Sequence, residues 1–143
     1  MNTAGYSGTP LAKKLGIREG FRIRLFNAPP HYLSLFGDMP EKVIFLTDKK
    51  SSKDLVHYFA KNLALLEKDI ISLRNEIFPN GAIWVSWPKK SARIETDVTE
   101  NLIRNIALHN GLVDIKVCAV DETWSALKLV IPLKDRKLLV ANK

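Results

Sequence analysis

Phe21, Ile23 and Leu25 alternate with Arg22 and Arg24, and this two-residue period predicts a first strand over 21–26 with one polar face. Asn27-Ala28-Pro29-Pro30 ends it, because consecutive prolines cannot extend a ladder. Upstream, Thr9 before Pro10 reads as an N-cap followed by proline at the first helical position, with Gly16 stopping a short helix over 10–15. Downstream, residues 31–36 read as a short helix before Gly37, and the apolar run Val43 to Thr47 as a second strand ending at Asp48.

Lysines and serines over 49–53 mark a loop. Leu55 to Ala60 is aromatic and β-branched and reads as a third strand, leaving Asn62 to cap a helix over 63–78. In that helix Leu66, Ile70, Leu73 and Ile77 form one core-facing stripe, and Pro79-Asn80-Gly81 stops it. The alternative is a continuous helix over 55–78 and a sheet with one strand fewer. Ala82 to Trp87 is the most continuously apolar run, which predicts a central strand covered on both faces. After a loop over 88–96, Asp97 and Glu100 stand in capping-box spacing before a helix in which Val98, Leu102, Ile103 and Ile106 face the sheet. Gly111 ends that helix. Strands over 112–120 and 126–133, joined only by Asp121-Glu122-Thr123-Trp124, must be antiparallel. The order β-α-β-β-α-β-α-β-β specifies an α/β fold: a three-layer, Rossmann-like, mostly parallel sheet of about six strands ending in a hairpin. We expect one domain over 1–143, with 1–20 as an N-terminal extension carrying the short helix.

Composition narrows the class. Hydrophobic residues make up 46% of the chain and charged residues 26%, which is globular composition. No apolar run reaches the roughly 20 residues of a membrane span, and the first residues lack the apolar core of a signal peptide. One cysteine, Cys118, points to a reducing compartment, and we expect a cytoplasmic protein with no membrane partner. The net charge of +7 would attract anions, but its lysines and arginines are scattered along the sequence in short groups. Three dispersed histidines and one cysteine show no metal-ligand spacing, and no catalytic or dinucleotide motif is present. Cys118 and His57 fall in strands and read as core residues; His109 fits a helix C-terminus.

From Asp54 to Leu133 the element order, with Phe78-Pro79-Asn80-Gly81-Ala82-Ile83-Trp84-Val85 in place of a "PGG"-like turn and strand, resembles the C-terminal half of class I S-adenosylmethionine-dependent methyltransferases. The resemblance implies their fold, and it puts Asp48 where many of them hold the cofactor ribose. The chain departs from them after the first strand, where Asn27-Ala28-Pro29-Pro30 replaces a glycine-rich loop. Over nearly its full length the chain also resembles a small bacterial family known as a domain of unknown function. That likeness rests on Gly5 to Ile17, Trp84 to Ser91, Thr96 to Asn101 and Gly111 to Val130.

In open parallel sheets, ligands bind outside the carboxyl ends of the strands. This rule selects Trp87-Pro88-Lys89-Lys90-Ser91, whose lysines suit a phosphate or carboxylate and whose indole suits a planar ring. It also selects Trp124, and Asn27 and His31 after the first strand, His31 being the histidine placed for acid–base chemistry or binding. Our first expectation is therefore a ligand-binding module for a small anionic or nucleotide-like molecule, lined by Asn27, His31, Asp48, Trp87, Lys89, Lys90 and Trp124. The second is an interaction protein that presents a basic face, with Arg22 and Arg24, to nucleic acid or an acidic partner. A divergent methyltransferase is the third.

Overall fold

The computed structural model describes residues 9–141. Six strands form one sheet in the order β2-β1-β3-β4-β6-β5. They are β1 (Arg22–Phe26), β2 (Ile44–Phe45), β3 (Lys53–Phe59), β4 (Ile77–Pro88), β5 (Val113–Ala119) and β6 (Trp124–Val130). The first four are parallel, and β6 runs antiparallel to both β4 and β5. The fold is a mixed α/β, Rossmann-like sheet, as the hydrophobic pattern predicts.

Helices α2 (Leu63–Glu76) and α3 (Glu100–His109) bury Leu66, Ile70, Leu73, Ile103 and Ile106 against Val56, Ile83, Val85 and Leu127 on one face. The opposite face is covered by α1 (Leu11–Leu15) and a 3₁₀ turn (Tyr32–Leu35), packed on Ile23, Leu55, Phe59, Trp84 and Ala126. Gly16, in the left-handed region at φ 76°, closes α1. The buried Trp84 indole donates to the Leu15 carbonyl at 3.0 Å and fixes that end to the sheet.

Several boundaries differ from expectation. The helix over 63–78 ends at Glu76, and Pro79-Asn80-Gly81 lies inside β4 instead of stopping a helix. Between Lys53↔Ile77 and Leu55↔Ala82, β3 advances two residues while β4 advances five, so a bulge absorbs the excess. A Cβ at Gly81 would meet the Lys53 and Asp54 carbonyls at 3.0 Å, which is why glycine stands there. Thr99, not Asp97, caps α3 by accepting from the Leu102 amide, while Asp97 accepts from Leu63 N at the start of α2. Leu102, expected to face the sheet, is exposed. Pro10 occupies the N-cap position of α1 in place of Thr9. β6 begins at Trp124, and Leu133 opens a fourth helix, α4 (Leu133–Ala141), where a strand end was expected. No helix among the described residues is long and apolar enough to cross a membrane.

Candidate functional site

The chain passes from β1 outward to β2 and then back to β3, so the sheet switches direction between β1 and β3. Asn27 sits at this switch with φ 56°, and its amide donates to the Phe59 carbonyl at 3.5 Å. The following loop is held down from beneath. Tyr32 Oη lies 3.0 Å from His57 Nδ1, and His57 Nε2 lies 2.7 Å from Ser86 Oγ. All three side chains are buried, His57 stacks on Phe59, and burial pushes the imidazole down to about 3. A serine and a tyrosine flanking a histidine resemble a proton relay, but a neutral, enclosed imidazole works here as a peg that seats the loop. His57 is thus the hydrogen-bonded core residue its apolar strand suggests.

The structure brings only some of the sequence-selected residues together. Exposed His31 reaches Asp121 of the β5–β6 turn, Nε2 to Oδ2 at 3.6 Å, linking the loops that follow β1 and β5. Asp121 Oδ1 accepts from the Thr123 and Trp124 amides and shapes that turn. Trp124 is buried edge-on against Phe59 on the α1 face, whereas Trp87 packs half-buried into the α2–α3 core across the sheet. The two indoles therefore cannot stack on one ligand. The Lys89 amide donates to the Thr123 carbonyl, and Lys90 is exposed in a short turn beyond it.

Asp48 lies away from this group. β2 is only two residues long, and the link after it returns to the amino end of β3, where the Asp48 carbonyl accepts from Lys53 Nζ. The Asp48 carboxylate accepts from the Ser51 amide and hydroxyl, which hold it down to about 2. The acid expected beside the first loop is spent on a local turn.

The polar face of β1 is likewise not a free basic surface. Arg24 pairs with Glu76 at 2.6 Å and lies 4.1 Å over the Phe26 ring, while the Arg22 guanidinium donates to the Ser52 carbonyl. Fully buried Lys53 binds the same Glu76 oxygen at 3.0 Å. One carboxylate oxygen thus serves two cations.

Two concavities open where α1 meets the β5–β6 hairpin. The first, of about 550 Å³, lies between α1 and the 3₁₀ turn at the carboxyl end of β5; Pro10, Leu11, Leu35 and Phe36 give it apolar walls, and Lys14, Asp38 and Asp121 are its charged groups. The second, of about 630 Å³, lies beside β5 and is bordered by Lys13, Lys14 and Lys116 with the hydroxyl residues Thr9 and Ser125 and, among the described residues, no acid. Neither was visible in the sequence, because their walls come from segments about a hundred residues apart. Burial raises the Cys118 thiol, which lines the second concavity, while Lys14 and Lys116 pull it down. Burial also lowers Lys128, and the like charges of Lys116 and Arg18 lower it further. Among the described residues, no group of three or more His, Cys, Asp or Glu is placed to hold a metal ion.

No protein-family model matches the chain, and no curated protein matches it in sequence. Its backbone is similar to solved methyltransferases. An S-adenosylmethionine-dependent methyltransferase of Aquifex aeolicus superposes with TM-score 0.59 at 15% identity, covering 85% of this chain and 88% of that one. Magnesium protoporphyrin IX methyltransferase of Synechocystis, solved with bound S-adenosylmethionine, gives TM-score 0.55 at 12% identity over 85% and 74% of the two chains. The fibrillarin pre-rRNA processing protein of Methanococcus jannaschii gives TM-score 0.55 at 12% identity over 85% and 73%. At these identities the likeness is one of fold.

Proposed function

We propose that this chain is a divergent bearer of the methyltransferase-like fold that binds a nucleoside-type small molecule between α1 and the 3₁₀ turn. The observation that carries this reading is the 550 Å³ concavity at the carboxyl edge, a volume suited to a small organic ligand. Its apolar walls suit a ring; Asp38 would accept from hydroxyl or amino groups, and Lys14 would meet a carboxylate or phosphate. Bordering this seat, His31 is held through Asp121. A mixed lining of this kind favours an amphoteric ligand over the bare anion expected from net charge. With a single cysteine in the chain, the reading places the protein in a reducing cytoplasm.

The fold likeness favours S-adenosylmethionine as the first ligand to test, but the crevice between β1 and β3 does not fit it. Pro29 and Pro30 have no N–H to offer, Tyr32 is pegged into the core, and Asp48 is committed to Ser51 away from the crevice. No methyl-transfer step follows from these residues.

Isothermal titration of the chain with adenosine and with S-adenosylmethionine tests the reading, repeated in Phe36→Ala and Asp38→Asn. Saturable binding weakened about ten-fold in both variants supports it. Binding of S-adenosylmethionine alone, unaffected by both variants, would return the ligand to the β1–β3 crevice and favour a methyltransferase. No binding of either compound overturns the proposal.

A further inference from the structure

We infer that the second concavity, bounded by Lys13, Lys14 and Lys116, is a binding site for the phosphoryl group of a small phosphorylated molecule. The fold collects what the sequence disperses: α1 contributes two lysines and β5 a third to the lining of one space, with Thr9 and Ser125 beside them. None of the ion pairs among the described residues engages these three lysines. Lys14 spends one donor on the Ala119 carbonyl at 3.3 Å, which anchors it at the rim and leaves two donors over. Like charges on one concavity favour an anion there, because a bound phosphoryl group would lower their mutual repulsion.

The lining also selects among anions. Ammonium groups act as compact point charges suited to phosphoryl oxygens, and the Ser125 hydroxyl adds a hydrogen-bond donor. Single-stranded nucleic acid would call for aromatic platforms on which bases stack, and among the described residues no aromatic side chain borders this concavity. A small phosphorylated ligand therefore fits better than a polymer. The two concavities share Thr9 and Lys14, so a mononucleotide would reach both; that extension rests on the reading above, whereas the anion site stands without it.

The test is calorimetric titration of the full chain with inorganic pyrophosphate, adenosine and adenosine monophosphate. Saturable, one-to-one pyrophosphate binding is expected, weakened about ten-fold by Lys116→Ala and unchanged by Lys68→Ala on α2, across the sheet. Pyrophosphate-induced shifts of the backbone amide resonances of residues 13–14 and 116–119 provide a readout that needs no variant. Pyrophosphate binding without adenosine binding upholds the anion site and removes the nucleoside reading; the reverse removes the anion site alone. Absence of saturable pyrophosphate binding at millimolar concentration overturns the inference. So does a single-stranded RNA whose strongly salt-dependent binding is weakened by Lys116→Ala while pyrophosphate fails to bind, because the surface would then serve a polymer.

Discussion

Lys53 and Lys116 are both strand lysines, and their surroundings have little in common. Lys53 is fully buried and shares one Glu76 oxygen with Arg24, so two cations converge on one carboxylate under the end of α2. Lys116 is exposed on the edge strand and lines one concavity with Lys13 and Lys14, with no acid among its described lining residues. In the first region desolvated cations are tied to a buried carboxylate and serve the fold; in the second, lysines gather at the surface outside the ion pairs of the described residues. Net charge cannot distinguish them, because each lysine counts once in either place. The comparison shows that a basic composition becomes informative only after the compensated cations are set aside.

The sharpest way to break this comparison is to remove the acid from the buried cluster. Glu76→Leu leaves Arg24 and Lys53 facing each other without a counter-charge, and we expect a loss of about 3–5 kcal/mol in urea denaturation. Lys53→Met keeps the Arg24–Glu76 pair and should cost clearly less; equal losses would mean that the carboxylate is not the shared centre.

His57 is a buried basic group of a third kind, kept neutral rather than paired. Its folded value of about 3 lies below the ordinary 6.5, so the unfolded chain takes up a proton that the fold refuses. Its contribution to stability should therefore fall by about 1.4 kcal/mol per unit as the pH drops from about 6.5 toward 3. Urea titrations at neutral and mildly acidic pH, compared with His57→Asn, should show a shallower acid loss in the variant.

Trp84→Phe removes the indole bond to the Leu15 carbonyl and should cost about 1–3 kcal/mol while loosening the helix that carries Lys13 and Lys14. Weakened pyrophosphate binding in a variant that is still folded would tie the two effects together. The smallest change is expected for Lys116→Ala, within about 0.5 kcal/mol of the parent and on the stabilising side. Added salt should raise the parent's Tm more than the variant's, since the variant has less repulsion left to screen. A clear destabilisation by Lys116→Ala would mean that this lysine serves the fold as Lys53 does.

Features encoded by local pattern were legible in the sequence. The strand at Leu55–Ala60, the Asn62 cap, the central position of Ala82–Trp87 and the final hairpin all follow from side-chain period and turn chemistry over a few residues. What was hidden depends on partners distant in sequence. Pro79-Asn80-Gly81 is turn chemistry by composition, yet β3 pairing draws it into a bulged strand. Arg24 alternates like a surface residue, but its partner Glu76 lies on a helix 52 residues later. Asp48 follows the second strand as expected, but that strand is too short to carry it to the carboxyl edge. Of the candidate site, His31 and Trp124 reach the edge of the first concavity's walls through the Asp121 turn, while Trp87 faces the other side of the sheet. The gathering of Lys13, Lys14 and Lys116 needs the whole fold.

The bulge at Gly81 works as a vernier between two halves of the molecule. Its three-residue excess, five steps on β4 against two on β3, sets the phase in which every later side chain of β4 meets the sheet. An excess one residue larger or smaller would exchange the two faces. Trp84 and Ser86 would then leave the Leu15 carbonyl and the His57 imidazole and turn toward α2. A length change at this single glycine-marked joint would thus unseat α1 and the 3₁₀ turn together, and with them the walls of both concavities.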